Sequence, residues 1–166
     1  MDIYFLRHAS AGSQKLSGKD DETRPIDEEG EEQSRDAGKL LAQLGVEPAA
    51  FVSSPLTRAV QTAQLVAKEV GFKDDITLHD ALRPEGSYEQ FQKLLRHYAS
   101  SDSIVVTGHN PRLSEFLSLL ISGGAVSGAI ELKKAAVAKI DWGDSAQLSW
   151  CVTPKVVRAA SAIARG

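Results

Sequence analysis

Short apolar runs alternate with amphipathic stripes along nearly the whole chain, and this alternation limits the possible folds more than any other feature. Ile3–Leu6 and the Ile104-Val105-Val106 centre of Ser103–Thr107 are continuous apolar runs, the pattern of strands buried on both faces. Ala49–Val52 and Ile76–Leu78 read as further, weaker strands. Between them, apolar residues recur at helical spacing. Ala37, Leu40, Leu41 and Leu44 follow a cap at Asp27 and stop at Gly45. Leu56, Ala59, Val60, Ala63, Ala67 and Val70 form a second stripe, and Phe91, Leu94, Leu95 and Tyr98 a third. Leu113, Phe116, Leu117, Leu120 and Ile121 form a fourth. Strands that alternate with such helices assemble into a parallel sheet covered on both faces.

The C-terminal part differs. Val137–Ile140 and Leu148–Val152 flank the turn-like Gly143-Asp144-Ser145, which reads as an antiparallel hairpin, and Thr153-Pro154 opens a last helix to about Ala164. The expected fold is therefore α/β: one domain over residues 1–166, a three-layer α/β/α stack whose mostly parallel sheet carries an antiparallel pair near the C-terminus. Two strand-to-helix junctions, Ser54-Pro55 and Asn110-Pro111, repeat the grammar of an N-cap followed by proline at the first helical position.

Composition narrows the partners. A net charge of -3 with no basic block gives no bulk attraction to nucleic acid. Cys151 is alone, so neither a disulfide nor a CxxC metal site can form, and its apolar surroundings predict a small core residue. The opening apolar run ends in charge after four residues, which fits neither a signal peptide nor a membrane span and points to the cytoplasm.

In open α/β sheets, ligands bind beyond the carboxyl ends of the strands. Three strands here end in groups suited to a phosphoryl oxyanion: the first in Arg7-His8, the second in Ser53-Ser54-Pro55 leading to Arg58, and the fourth in Gly108-His109. Phosphoryl transfer spreads negative charge over three equatorial oxygens, so fixed cations and donors lower its barrier. Arg7 and Arg58 each offer a planar fork for two oxygens. A neutral His8 imidazole is a competent in-line nucleophile, and His109, either charged or as a neutral donor, completes the clamp. Gly12 with Gly18-Lys19 does not make a P-loop: the spacing is one residue too long, and Asp20 stands where Ser or Thr is needed.

The runs FLRHAS, SSPLTRAVQTA and VVTGHNP resemble the three signatures of the histidine phosphatase superfamily, which has the phosphoglycerate mutase-like fold. TRPIDEEGEEQ is similar to a further element of its short SixA-type branch of phosphohistidine phosphatases. The resemblance implies that His8 is the nucleophile, that Arg7, Arg58 and His109 bind the transferred phosphoryl group, and that no metal or organic cofactor takes part. It places Arg24 at the arginine of the further element, with either a reach into the pocket or a structural role. Many relatives carry a carboxylate in the loop after the third strand, where this chain has Glu85; that residue is either the general acid or a solvated loop glutamate. The usual glycine after the nucleophile is replaced by Ala9, which would be strained by about 1–2 kcal/mol if a positive φ were required there.

The route from Arg58 to His109 is too short for a lid domain. An open cleft suits a phosphate carried on another protein, such as a phosphohistidine on a histidine phosphotransfer domain. The expected activity is thus a metal-independent phosphohistidine phosphatase with no nucleic-acid or membrane partner. The alternatives are a phosphomonoesterase or mutase acting on small phosphorylated metabolites, and a non-catalytic phosphate-binding module.

Overall fold

A computed structural model describes residues 1–13, 20–125 and 130–165. Gly18 and Lys19, considered above for a P-loop, lie outside the described residues. The strands are β1 (Asp2–Arg7), β2 (Ala50–Ser53), β3 (Thr77–Leu78), β4 (Ser103–Gly108), β5 (Val137–Trp142) and β6 (Ala146–Val152). The helices are α1 (Glu28–Gln43), α2 (Thr57–Val70), α3 (Tyr88–His97), α4 (Arg112–Ile121) and α5 (Pro154–Arg165). All six strands form one sheet in the order β3-β2-β4-β1-β5-β6.

The central strands β2, β4 and β1 are parallel and adjacent, with Ser53 opposite Thr107 and Arg7 opposite Gly108. β5 runs antiparallel to β1, and the β5–β6 hairpin is antiparallel as expected. One face of the sheet packs Ile3, Phe5, Ile104 and Val106 against α3 and α4 through Phe91, Leu95, Phe116 and Leu117. The other packs Tyr4, Leu6, Phe51 and Val105 against α1 and α2 through Leu41, Ala63 and Val66. Alternate residues of β1 thus enter two separate cores, which is why its apolar run is unbroken. The three-layer α/β/α architecture matches the sequence reading. Among the described residues no helix is long and apolar enough to cross a membrane.

Several local expectations need correction. Cys151 is exposed, because β6 is an edge strand whose outward residues lack a covering layer. Leu44 is the residue after α1 and is 55% exposed, so it contributes nothing to the buried stripe. Ser54 does not cap α2, which begins at Thr57 without a side-chain cap. Asn110 does not cap α4 either. Its amide donates to the Leu132 carbonyl at 2.8 Å and its Oδ1 accepts from Ser114 Oγ at 2.8 Å, while the Asn110–Pro111 peptide is cis. In both places the polar side chain is drawn to a tertiary partner near the strand ends.

Asp27 does cap α1, accepting from the Gly30 N–H at 2.8 Å, and it does more than the sequence revealed. Its carboxylate also accepts from Ser10 Oγ at 2.9 Å and the Gly12 N–H at 2.7 Å, and its own N–H donates to the Ser10 carbonyl. Burial pushes its carboxyl up, but the Gly30, Ser10 and Gly12 donors outweigh that and hold it below the usual range. One residue therefore starts a helix and pins the loop leaving β1.

Close approach at Gly30 makes this pinning possible. A Cβ there would sit 2.0 Å from the Ser10 carbonyl oxygen, a backbone atom that cannot move without carrying the loop with it. Gly30→Ala should destabilise the protein by about 1–3 kcal/mol, as overpacking does, read as a lower urea midpoint at unchanged m-value. An unshifted midpoint would mean that the loop after β1 is not held against α1.

Candidate active site

The parallel register brings Arg7-His8, Ser53-Ser54 and Gly108-His109 to the same sheet edge. His8 continues from β1, its N–H donating to the Gly108 carbonyl at 3.0 Å. The His8 and His109 rings lie 5.0 Å apart between centroids. Both are buried, and so is Arg58 in the first turn of α2. His8, Arg58 and His109, named from three separate stretches of sequence, thus meet with Arg7 in one place.

His8 Nδ1 is 2.8 Å from the Ala9 carbonyl oxygen. A carbonyl can only accept, so Nδ1 carries the proton and Nε2 keeps a bare lone pair. Desolvation by burial lowers the His8 pKa to about 4; the Ala9 hydrogen bond opposes this, and the Arg58, Arg7 and Arg24 charges reinforce it. At neutral pH the ring is uncharged. His109 is pushed down further, first by burial and then by His8 and Arg58. The expectation that His109 could be cationic is therefore corrected: it is neutral and acts as a hydrogen-bonding group, its Nε2 2.7 Å from Ser54 Oγ.

The two arginines are anchored at one end and open at the other. Arg7 Nη1 donates to the Leu132 carbonyl at 2.9 Å. Arg58 Nη1 donates to the Asp21 carbonyl at 2.7 Å, and Nη2 to the Asp21 carboxylate at 3.1 Å. Arg7 Nε, Arg58 Nε and His109 Nδ1 are buried and have no hydrogen-bond partner among the described residues. Buried donors rarely go unsatisfied, and here three such nitrogens belong to the residues picked out for the oxyanion clamp.

Ala9 is free of the strain considered above. Its backbone is outside the positive-φ region, and its N–H donates to Thr62 Oγ1 at 3.0 Å. Thr62 in turn donates to the Arg58 carbonyl at 2.7 Å, tying the His8 loop to the helix that carries Arg58. Among the described residues the non-glycine residue with a positive φ is Ala135, at 53°, whose N–H donates to the Arg7 and His8 carbonyls as the chain enters β5.

Arg24 lies close enough to influence His8, but its donors are engaged. Nη1 donates to the Ala11 and Gly12 carbonyls at 3.1 and 3.0 Å, while Nε and Nη2 donate to Asp21 Oδ1. It braces the rim. Hydrogen bonding to Arg24, followed by the charge of Arg58, holds the Asp21 carboxyl below its ordinary range despite some desolvation. The 3-10 turn Asp21–Thr23 lies against Arg58, and Glu22 pairs with Arg83 at 2.9 Å. The site is therefore not as open as the short Arg58–His109 route implied, because its cover comes from the segment before α1. Glu85 stands apart: its side chain is 70% exposed, 3.9 Å from Arg83, with no described contact to the four central residues.

Sequence reasoning missed Asp21, Thr62, Ser114 and the Leu132 carbonyl. Thr62 lies inside the SSPLTRAVQTA run and could have been noticed there. A backbone carbonyl such as that of Leu132 has no signature in side-chain chemistry.

Known proteins share the family and the fold. The family described as histidine phosphatase superfamily (branch 1) matches residues 3–101. An uncharacterised protein of Picosynechococcus sp. is 33% identical over 140 residues, 82% of this chain and 82% of its own length. The fold is similar to that of the protein histidine phosphatase SixA solved with tungstate, with a TM-score of 0.85 and 22% identity over 95% of this chain and 99% of that one. It is also similar to phosphoglycerate mutase from Bacillus anthracis, with a TM-score of 0.72 and 15% identity over 96% of each chain.

The buried, neutral state of His8 has a measurable consequence. Its imidazole should titrate near pH 4 in the folded protein, against 6.5 for an ordinary histidine, when followed by NMR of ring-labelled histidine. Because the folded pKa is depressed, the unfolded chain binds the proton more readily. His8 should therefore lower stability as pH falls from about 6.5 toward 4 and leave it undiminished above that window. A His8 midpoint between 6 and 7 would contradict the buried site.

Proposed function

The chain belongs to the histidine phosphatase superfamily, and on that footing we propose that it hydrolyses protein-borne phosphohistidine through covalent phosphorylation of His8. One observation carries the reading. A neutral His8 with its Nε2 lone pair bare is grouped with three buried nitrogens, on Arg7, Arg58 and His109, that lack acceptors. The transferred group has three equatorial oxygens to receive such donors.

In the first step the His8 Nε2 lone pair attacks phosphorus in line, and the bond from phosphorus to the leaving group breaks. The imidazole of a phosphohistidine already protonated on its other ring nitrogen leaves neutral with that electron pair and needs no proton from the enzyme. The Ala9 carbonyl holds the Nδ1 proton throughout, so the phosphorylated imidazole stays oriented and its positive charge is stabilised. In the second step water attacks phosphorus, the phosphorus–Nε2 bond breaks, the electron pair returns to His8, and the water's protons leave on the phosphate product. Arg7, Arg58 and His109 offset the charge on the oxygens in both steps. This chemistry requires neither a metal nor an organic cofactor.

The absence of a described acid beside His8 favours phosphohistidine over an alkyl ester. Asp21 is held ionised by Arg24 and Arg58, and Glu85 is exposed and has no described contact with the cluster. An alkoxide needs a proton donor as it leaves, whereas the imidazole of phosphohistidine is already a good leaving group once protonated. No lid domain lies between Arg58 and His109, so among the described residues a partner such as a histidine phosphotransfer domain would have to approach past the Asp21–Thr23 turn alone. The second reading, a phosphatase or mutase for small phosphorylated metabolites, draws on the likeness to phosphoglycerate mutase and keeps the same four residues in their roles.

Two experiments test this. Rapid quenching during turnover should trap acid-labile, alkali-stable phosphate on His8, and His8→Ala should abolish both the adduct and turnover without unfolding the protein. Arg58→Ala should cost about 10²–10³ in rate, as does losing one oxyanion donor, and Arg58→Lys should recover little because a point charge cannot replace the fork. Normal turnover by a folded His8→Ala protein would end the covalent mechanism, and activity abolished by chelators would end the metal-independent reading.

The substrate class needs a direct comparison. kcat/KM for a phosphorylated histidine phosphotransfer domain should exceed that for common sugar phosphates by at least about tenfold, or roughly 1.4 kcal/mol of differential transition-state binding. Preference for one small ester would select the second reading.

A further inference from the structure

Ser54 is fully buried at the end of β2, and since it does not cap α2 its hydroxyl needs another explanation. Two groups meet its Oγ: the Leu56 N–H, which donates to it at 3.3 Å, and His109 Nε2 at 2.7 Å. A hydroxyl has one proton to give. Leu56 can only donate, so the described acceptor for that proton is His109 Nε2.

The alternative arrangement leaves more groups unsatisfied. If Nε2 held the ring proton, the Ser54 proton would lose its described acceptor. His109 Nδ1 would then be a buried lone pair without a donor. With the proton on Nδ1, Ser54 is satisfied and Nδ1–H becomes a third open donor beside Arg7 Nε and Arg58 Nε. Buried polar groups cost least when paired, and the second arrangement pairs more of them.

We propose that Ser54 is a positioning residue that fixes His109 as its Nδ1–H tautomer, so that this ring donates to the transferred phosphoryl group. The inference rests on the phosphatase reading above for its function, though not for the tautomer itself. It explains how two neighbouring histidines acquire opposite roles. Both carry the proton on Nδ1, but the protein engages opposite nitrogens. Ala9 engages Nδ1 of His8 and leaves Nε2 bare as a nucleophile. Ser54 engages Nε2 of His109 and leaves Nδ1–H as a donor. Without that tether, His109 could present a lone pair toward the phosphoryl oxygens and repel them.

The test is nitrogen-15 NMR of ring-labelled histidine at neutral pH, with the four histidines assigned by single-residue variants. In the wild type, His109 Nδ1 should show the shift of a protonated nitrogen and Nε2 that of a bare one. Ser54→Thr, which keeps the hydroxyl, should retain that signature. Ser54→Ala should lose it, with a fall in kcat/KM for p-nitrophenyl phosphate of about ten- to a hundredfold, the usual effect of one lost buried hydrogen bond. A wild-type His109 protonated on Nε2 would overturn the proposal whatever the activity, as would a folded Ser54→Ala protein with unchanged tautomer and rate. Should the wild type show the Nδ1–H signature but no turnover of any phosphorylated substrate, the phosphatase reading would fall and the donation step with it.

Discussion

Parallel pairing of β4 with β1 on one side and β2 on the other is the constraint from which the site follows. Three neighbouring strands end at the same edge, so the residues just after each come together without a specialised loop. Register adds precision. Arg7 opposite Gly108 sets His8 beside His109, and Ser53 opposite Thr107 brings Ser54 within hydrogen-bond distance of the same ring. The β5 strand closes the other side of β1, where the positive-φ Ala135 backbone and the Leu132 carbonyl hold Arg7 and the start of the His8 loop.

Burial gives these residues their chemistry. Imidazoles withdrawn from water beside guanidinium groups remain neutral, the state that the proposed nucleophile and the proposed tautomer-controlled donor both require. The arginines keep their charge and are steadied by backbone carbonyls and by Asp21, which holds Arg58 and Arg24 together. Placing cations, neutral rings and donors without described partners in a buried space is electrostatically costly. It persists because Asp27, Thr62 and Leu132 fix the surrounding backbone.

Those supports share one logic. Asp27 joins a helix start to the loop after β1, Thr62 joins that loop to the helix bearing Arg58, and Leu132 joins Arg7 to the turn after His109 through Asn110. Each connects segments far apart in sequence. Small displacements of any one element would therefore move several of the reactive groups together, since the packed core does not deform continuously.

The sequence alone determined the layered α/β fold and brought forward Arg7, His8, Arg58 and His109 as candidates, because hydrophobic periodicity and strand-end position are local properties. It also determined the Asp27 cap, a short-range interaction between a side chain and an N–H three residues on. Only the tertiary structure decided where competing polar groups went. Ser54 and Asn110 had the local appearance of caps, but each found a partner across the sheet edge, and Cys151 looked buried until β6 proved to be an edge strand. The charge state of His109, the covering of Arg58 by the Asp21 turn and the isolation of Glu85 were likewise undecidable from the chain. Their physical basis is desolvation and the geometry of donors and acceptors brought together by folding, and neither quantity is encoded in the spacing of residues along a single sequence.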